Sequence, residues 1–374
     1  MIVPGLLTGL TLALGIVRLG NASIWLDEAA SVNLARIPFG DFLSVAADKE
    51  ANGSLYYLLL RLWLWLGHSE FAIRLLSALA AAATIPVLYA LAARLFGRRV
   101  AVIACALCAL SGLFLRYAHE ARGYSLAAFF ATLLSLLLVR ALQAPTRRRW
   151  IVYGAVAGLG LYAHFFVGFV ILAHLIVAVV ARRDAWRAMA AGWAVLAAIA
   201  LPLGIFLLGQ QGAQVAWIPR TTLRTVVPTF KALTGFGGAP LLIAYFVACA
   251  AGSAAVWRGG LAPRWKGGLV LAWVAVPPAL AFAVSLATPI VRPQYLIVIV
   301  PGLSLLAALG LDAMRAPPAI AAATAALAAV AVAALPGMYS NLETHDWRGA
   351  TRFVLSSSAP TDGVVFYAYY GWTP

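Results

Sequence analysis

Two short stretches hold the side chains best suited to chemistry. Asp27 and Glu28 stand side by side in "IWLDEAAS" (24–31), directly after an apolar run. Glu120 and Arg122 flank Ala121 in "YAHEARGYS" (117–125), with Tyr117, His119 and Tyr124 around them. On a helix, neighbouring side chains diverge by about 100°, so the two adjacent acids do different jobs. A carboxylate at the lip of a membrane cavity suits a general base, because partial burial raises its pKa toward neutrality. Arginine presents a planar fork that matches a phosphate bidentately, and Glu120 is placed to orient Arg122. Plainer readings stand beside these. The acids suit a helix N-terminus, and Arg–Glu pairing with Tyr anchors suits two helix ends at a membrane interface.

Other candidates are more isolated. His164 closes "LYAHFF" (161–166), where a lone histidine is usually a hydrogen-bonded structural residue. Arg292 is the only charge in "TPIVRPQYL" (288–296), with Tyr295 three residues on; the plain reading is an arginine snorkelling to the interface. The segment 209–239 offers Arg220, Arg224 and Lys231 interleaved with Trp217 and Phe230. It reads equally as a cover for a lipid headgroup or as an amphipathic cap. Cys105, Cys108 and Cys249 lie inside apolar runs and read as small packing residues. Asp27 and Glu28 alone make a poor divalent-cation site, so no metal ligand set is assigned, although a divalent ion at the two acids stays open. No nucleotide-binding motif is present.

The elements that must position these groups are membrane spans. The chain has 374 residues, 64% hydrophobic and 10% charged, with a mean hydropathy of +0.93, whereas soluble domains are about 25% charged. Apolar runs at 2–20, 71–93, 100–116, 124–141, 150–164, 166–181, 188–208, 240–257, 268–287, 295–312 and 318–338 predict an all-α polytopic membrane protein with about 11 transmembrane helices. Residues 2–20 lack a basic leader and read as an uncleaved first span. The Tyr- and Trp-rich run 55–67 carries Arg61 and reads as a helix lying in the interface. With that assignment, the loops around 94–99, 140–150, 181–187, 257–266 and Arg315 fall on one side. They hold 14 of the 27 Lys+Arg and two of the 12 acids. By the positive-inside rule that side is cytoplasmic, and all the candidate residues fall on the outer face, where long loops carry function. The net charge of +15 reflects these loops, and no basic tract suits a nucleic acid. The domain reading is a transmembrane domain over 1–338 and an outer α/β tail over 339–374, with a helix at 346–357 and a strand at 363–369, incomplete as a unit that buries a core. "GAVAG" (154–158) has the spacing of close helix packing.

Together these stretches resemble the membrane glycosyltransferases of the C-type superfamily, in the group related to dolichyl-phosphate-mannose protein mannosyltransferases and the lipid A aminoarabinose transferase. "WLDEAAS", "SLYYLLLRLWLWLGHSEFAIRLLSAL", "YAHEARGYSL", "WIVYGAVAGLGLYAHFF", "RPQYLIVIVPGLSLLAALGL" and "DWRGATRFVL" follow the family's order. Where the family has a Pro-rich stretch before the "LYY" helix, this sequence has "ANGS". The resemblance implies a sugar donor on a polyprenyl phosphate, transfer with inversion on the outer face, and a glycan, lipid or protein acceptor. It implies Asp27 as base with Glu28 in support, and Arg122 and Arg292 on the phosphate. Tyr124, His164 and Tyr295 would line the cavity. The alternatives are a transporter or flippase of lipid-linked saccharide and a non-catalytic relative; no internal repeat of the kind transporters carry is visible.

Overall fold

A bilayer offers no water to backbone N–H and C=O groups, so apolar segments satisfy themselves as helices. The computed structural model describes residues 2–209, 217–258, 264–342, 346–359 and 361–363, and no strand occurs among them. After α1 (Ile2–Ile16) the chain makes three short helices, α2 (Leu26–Arg36), α3 (Phe39–Asp48) and α4 (Ser54–Trp63). There follow α5 (Glu70–Phe96), α6 (Arg98–Ala109), α7 (Gly112–Ala118), α8 (Tyr124–Gln143), α9 (Arg147–Ala163), α10 (Val167–Ala181) and α11 (Trp186–Gly209). The rest are α12 (Leu223–Leu233), α13 (Gly238–Trp257), α14 (Trp265–Val284), α15 (Val300–Asp312), α16 (Pro317–Ser340) and α17 (Trp347–Ser357). A 3₁₀ turn, Tyr295–Ile299, leads into α15.

Every stretch expected to span is helical. Seven helical units are long and apolar enough to cross a membrane, and α6 with α7 forms an eighth bent by 59°. Ser111 makes that bend by capping α7 at the Phe114 N–H. The remaining three, α1, α9 and α10, have 15, 17 and 15 residues. At 1.5 Å per residue they fall a turn or two short of a ~30 Å hydrocarbon core. The first expected span ends early, at Ile16, because the chain turns at Arg18, whose φ is 59°. α4 carries the interfacial reading. Arg61 folds back onto the Ala35 and Ile37 carbonyls, while Trp65, just beyond, is 89% exposed. The expected tail helix is α17, capped by Asp346 at the Gly349 N–H, 2.8 Å. The expected strand at 363–369 falls almost wholly outside the described residues.

Packing between helices follows the small-residue rule for lipid, where close backbone approach replaces the hydrophobic drive. Gly154 of α9 lies directly against the Gly192 backbone of α11, and Gly158 against Ile199. One polar group sits deep in this layer. His174 takes the Tyr153 hydroxyl at Nδ1 (3.1 Å) and meets Ser135 through Nε2 (3.0 Å), and Ser135 donates to the Ala131 carbonyl. The bundle has two distinct ends. One gathers the segments 94–99, 140–149, 182–184, 266 and 312 through contacts such as Arg94–Gln143, Arg99–Asp312 and Lys266 to the Leu95 carbonyl. The other gathers α2 to α4 and the turns 119–123, 164–166 and 288–294, which hold the candidate chemistry.

Candidate functional site

The first turn of α2 sets the site. Glu28 points inward and is fully buried; its carboxylate takes Arg74 Nε at 2.7 Å and Nη2 at 2.6 Å. Arg74 spends its other N–H groups on the carbonyls of Leu19, Ala22 and Ser23. Glu28 also accepts the Ala121 N–H at 2.9 Å. One buried carboxylate therefore ties α2, α5 and the 119–123 turn together. Charges this deep are tolerated only when paired and hydrogen-bonded this completely.

Asp27, one residue earlier, faces a different space. Its carboxylate has no hydrogen-bond or ion-pair partner among the described residues, and its backbone carbonyl takes the Ser31 hydroxyl at 2.9 Å. Arg122 comes in beside it from the turn before α8. Its Nη1 reaches the Tyr57 hydroxyl at 3.2 Å and, at the 3.5 Å limit, Ser31 Oγ and the Asp27 carbonyl. Its guanidinium sits 5.9 Å from the Tyr124 ring centre. Ser77 fixes the turn from behind by donating to the Arg122 carbonyl. Gly123 is required there, since a Cβ would come within 2.8 Å of the Ala163 carbonyl.

Tyr124, His164 and Tyr295 form one aromatic wall. The His164 ring centre is 5.0 Å from Tyr295 and 5.7 Å from Tyr124, and Tyr124 and Tyr295 are 6.1 Å apart. His164 takes the Phe166 N–H at Nδ1, 3.2 Å, so its proton is on Nε2, a buried donor without a partner among the described residues. Burial pushes the His164 pKa down to about 3, so the ring is neutral and serves as a hydrogen-bond donor, not as a proton carrier. Arg292 stands over the Trp217 ring at 5.2 Å, and its buried Nε has no hydrogen-bond partner among the described residues.

Two expected placements change. Glu120 does not orient Arg122: its carboxylate pairs with Arg116, one turn back, at 2.7 Å. It lines a separate polar cavity of about 180 Å³ behind α2, with Arg74, Arg116, His119 and Trp25. Lys231, on α12, has no side-chain partner among the described residues and is not drawn to the cluster. The structure adds residues that sequence reasoning passed over. Arg74 and Tyr57 are two. Arg116 is a third, visible in hindsight as an i,i+4 partner of Glu120. The fourth is Glu50, in the connector before α4. Burial pushes its carboxyl up, Arg122 pulls it down and Asp27 pushes it up again. Asn52 and Gly53 stand where the Pro-rich stretch was expected. Asn52 Oδ1 takes the Phe165 N–H at 3.0 Å, and Gly53 turns with φ 85°. Among the described residues no three His, Cys, Asp or Glu side chains converge to hold a metal ion.

Glu120 yields a pH prediction. Burial outweighs the Arg116 charge and pushes its pKa up to about 7, from 4.5. The folded state thus holds this proton more tightly than the unfolded state. The stabilisation is full below pH 4.5 and is lost as pH rises through about 7. Melting in detergent should fall over this window, by about 3 kcal/mol at most, and Glu120→Gln should flatten the fall. A wild-type profile that rises from pH 5 to 7.5 contradicts this.

The comparisons with known proteins converge on one architecture. The dolichyl-phosphate-mannose-protein mannosyltransferase family matches residues 53–208, less than half of the chain. ArnT from Cupriavidus metallidurans, solved with undecaprenyl phosphate, superposes with a TM-score of 0.62 at 19% identity, over 84% of this chain and 60% of that one. The oligosaccharyltransferase of Archaeoglobus fulgidus gives a TM-score of 0.65 at 14% identity, over 96% of this chain and 58% of that one. The fold is that shared by these two membrane proteins. At these identities the likeness to the solved structures is one of fold, and the chain spans about three fifths of the length of the proteins it matches. No curated protein matches it by sequence. That shared fold accounts for the layout described above, an integral membrane bundle with its polar cluster gathered at one end.

Proposed function

We propose that the chain moves a sugar from a polyprenyl-phosphate donor to an acceptor hydroxyl on the extracytoplasmic face. The observation that carries this reading is the Asp27 carboxylate, which has no hydrogen-bond or ion-pair partner among the described residues, close to Arg122 and the ring of Tyr124 beyond it. ArnT and the archaeal enzyme AglB have each been solved with a polyprenyl or dolichol phosphate bound, which supports a lipid-phosphate donor here. The outer-face assignment rests on the basic loops at the opposite end of the bundle.

The chemistry balances with the residues present. Asp27 accepts the proton of the acceptor hydroxyl as its oxygen bonds to the anomeric carbon. The bond from that carbon to the phosphate oxygen breaks, and its electron pair stays on the phosphate. Arg122 and Arg292 face the charge that develops there. Attack opposite the departing phosphate inverts the anomeric centre. Glu28 does not touch substrate in this scheme; it holds α2 so that Asp27 faces the cavity. Tyr124 and Tyr295 supply the wall against which the sugar packs, and His164 supplies a neutral N–H. Glu120 and Lys231 have no assigned contact.

Purified protein in liposomes, given radiolabelled polyprenyl-phosphate sugars and cell-envelope acceptors, tests this reading. Label transferred to an acceptor supports it. Donor carried across the bilayer with no sugar transferred overturns it in favour of a flippase. Arg122→Ala should raise the KM for donor about 10- to 100-fold, the loss of a charge-assisted contact to phosphate.

A further inference from the structure

The connector between α3 and α4 carries a second carboxylate, Glu50, near Asp27 and Arg122, and nothing among the described residues pairs with it. The Glu50 backbone N–H donates to the Val45 carbonyl at 2.8 Å. Two residues on, Asn52 clamps the connector to the 164–166 turn through the Phe165 N–H. The Glu50 side chain is partly buried, yet it makes no hydrogen bond and no ion pair among the described residues. It lies within electrostatic reach of Asp27, Arg122 and Tyr57. Tyr57 accepts from Arg122, and its own hydroxyl proton has no acceptor among the described residues. Burial pushes the Tyr57 phenol up, so that proton is retained. Asp27, Glu50 and Tyr57 therefore gather around Arg122, and neither carboxylate has a hydrogen-bond or ion-pair partner among the described residues.

A fixed, partly desolvated carboxylate with no protein partner costs stability unless a ligand completes it. The ligand chemistry that suits it is hydroxyl or ammonium, and the chemistry that it rejects is another carboxylate held close by. Building on the glycosyltransferase reading above, we propose that Glu50 is a specificity residue that hydrogen-bonds the transferred sugar and restricts the donor to non-anionic sugars. Arg122 takes the phosphate, Asp27 takes the proton, and Glu50 accepts from sugar hydroxyls on the face away from the leaving group. A hexuronate would bring its own carboxylate against both Asp27 and Glu50.

Liposome transfer assays with two donors test the proposal: a neutral hexose on polyprenyl phosphate, and the same hexose oxidised to the carboxylate at C6. Wild type should favour the neutral donor by about 100-fold in kcat/KM, from the like-charge penalty. Glu50→Gln should raise KM for the neutral donor about tenfold with kcat changed less than about threefold, and should narrow the discrimination by a similar factor. Glu50→Asp should recover part of the discrimination. Melting curves in detergent that match wild type show that the variants are folded. The proposal is overturned if wild type takes both donors equally, or if Glu50→Gln leaves KM and discrimination unchanged. Transfer by the wild type in those cases leaves the glycosyltransferase reading standing. A wild type that transfers from no donor overturns both.

Discussion

Asp27→Asn is expected to cut sugar transfer by about a hundred- to ten-thousand-fold, the usual contribution of a positioned base, while leaving the fold intact. The reason lies in what Asp27 does not do. Its carboxylate holds nothing together among the described residues, so an amide of the same shape removes the proton acceptor and leaves the packing unchanged. Donor binding should survive, because Arg122 keeps its contacts to Tyr57 and Ser31. The measurement is single-turnover transfer in liposomes beside a donor-binding assay. A variant that still transfers at the wild-type rate removes Asp27 from the mechanism. One that loses donor binding in parallel gives Asp27 a binding role instead.

Glu28→Ala is expected to behave in the opposite way, with stability failing first. Removing the carboxylate leaves the Arg74 guanidinium buried and uncompensated, a loss of about 3–5 kcal/mol. It also frees the Ala121 N–H, which fixes the turn that carries Arg122. Thermal unfolding in detergent should show the loss, and transfer should fall in proportion to the unfolded or misplaced fraction. Arg74→Met together with Glu28→Leu should recover much of the stability, since a pair of apolar side chains removes both charges. A Glu28→Ala protein as stable as wild type would show that the pair is not a structural tie. The neighbouring acids are thus expected to separate: the Asp27 variant folded and inactive, the Glu28 variant unstable.

This separation was half visible in the sequence. Adjacency on a helix dictates that Asp27 and Glu28 face different ways, and hydropathy placed both at the end of the first span. The partner was not visible, because Arg74 lies 46 residues from Glu28 and looks like any basic residue at the start of a span. The spans themselves were legible, since lipid leaves a long apolar run little choice but a helix. Their ends were less so: a single residue with positive φ, Arg18, stops α1 short of its hydrophobic run. Glu120 was misjudged because Arg122 is nearer in sequence, whereas helical geometry brings Arg116 alongside. Glu50 was passed over because it follows Asp48 and Lys49 and looks like a solvated charge. Only the fold of the connector, held by Asn52 at the Phe165 N–H, brings it within electrostatic reach of Arg122.

The Ser135–Tyr153–His174 group has a bearing on how the reaction is driven. Its hydrogen bonds run in one direction, from the tyrosine through the imidazole to the serine and out to a backbone carbonyl of α8, and every position is filled. An incoming proton would have to break that chain to find a seat. On the glycosyltransferase reading proposed above, this saturated group offers a proton no seat at mid-depth, and the energy for transfer would arrive with the donor, in the bond between sugar and phosphate.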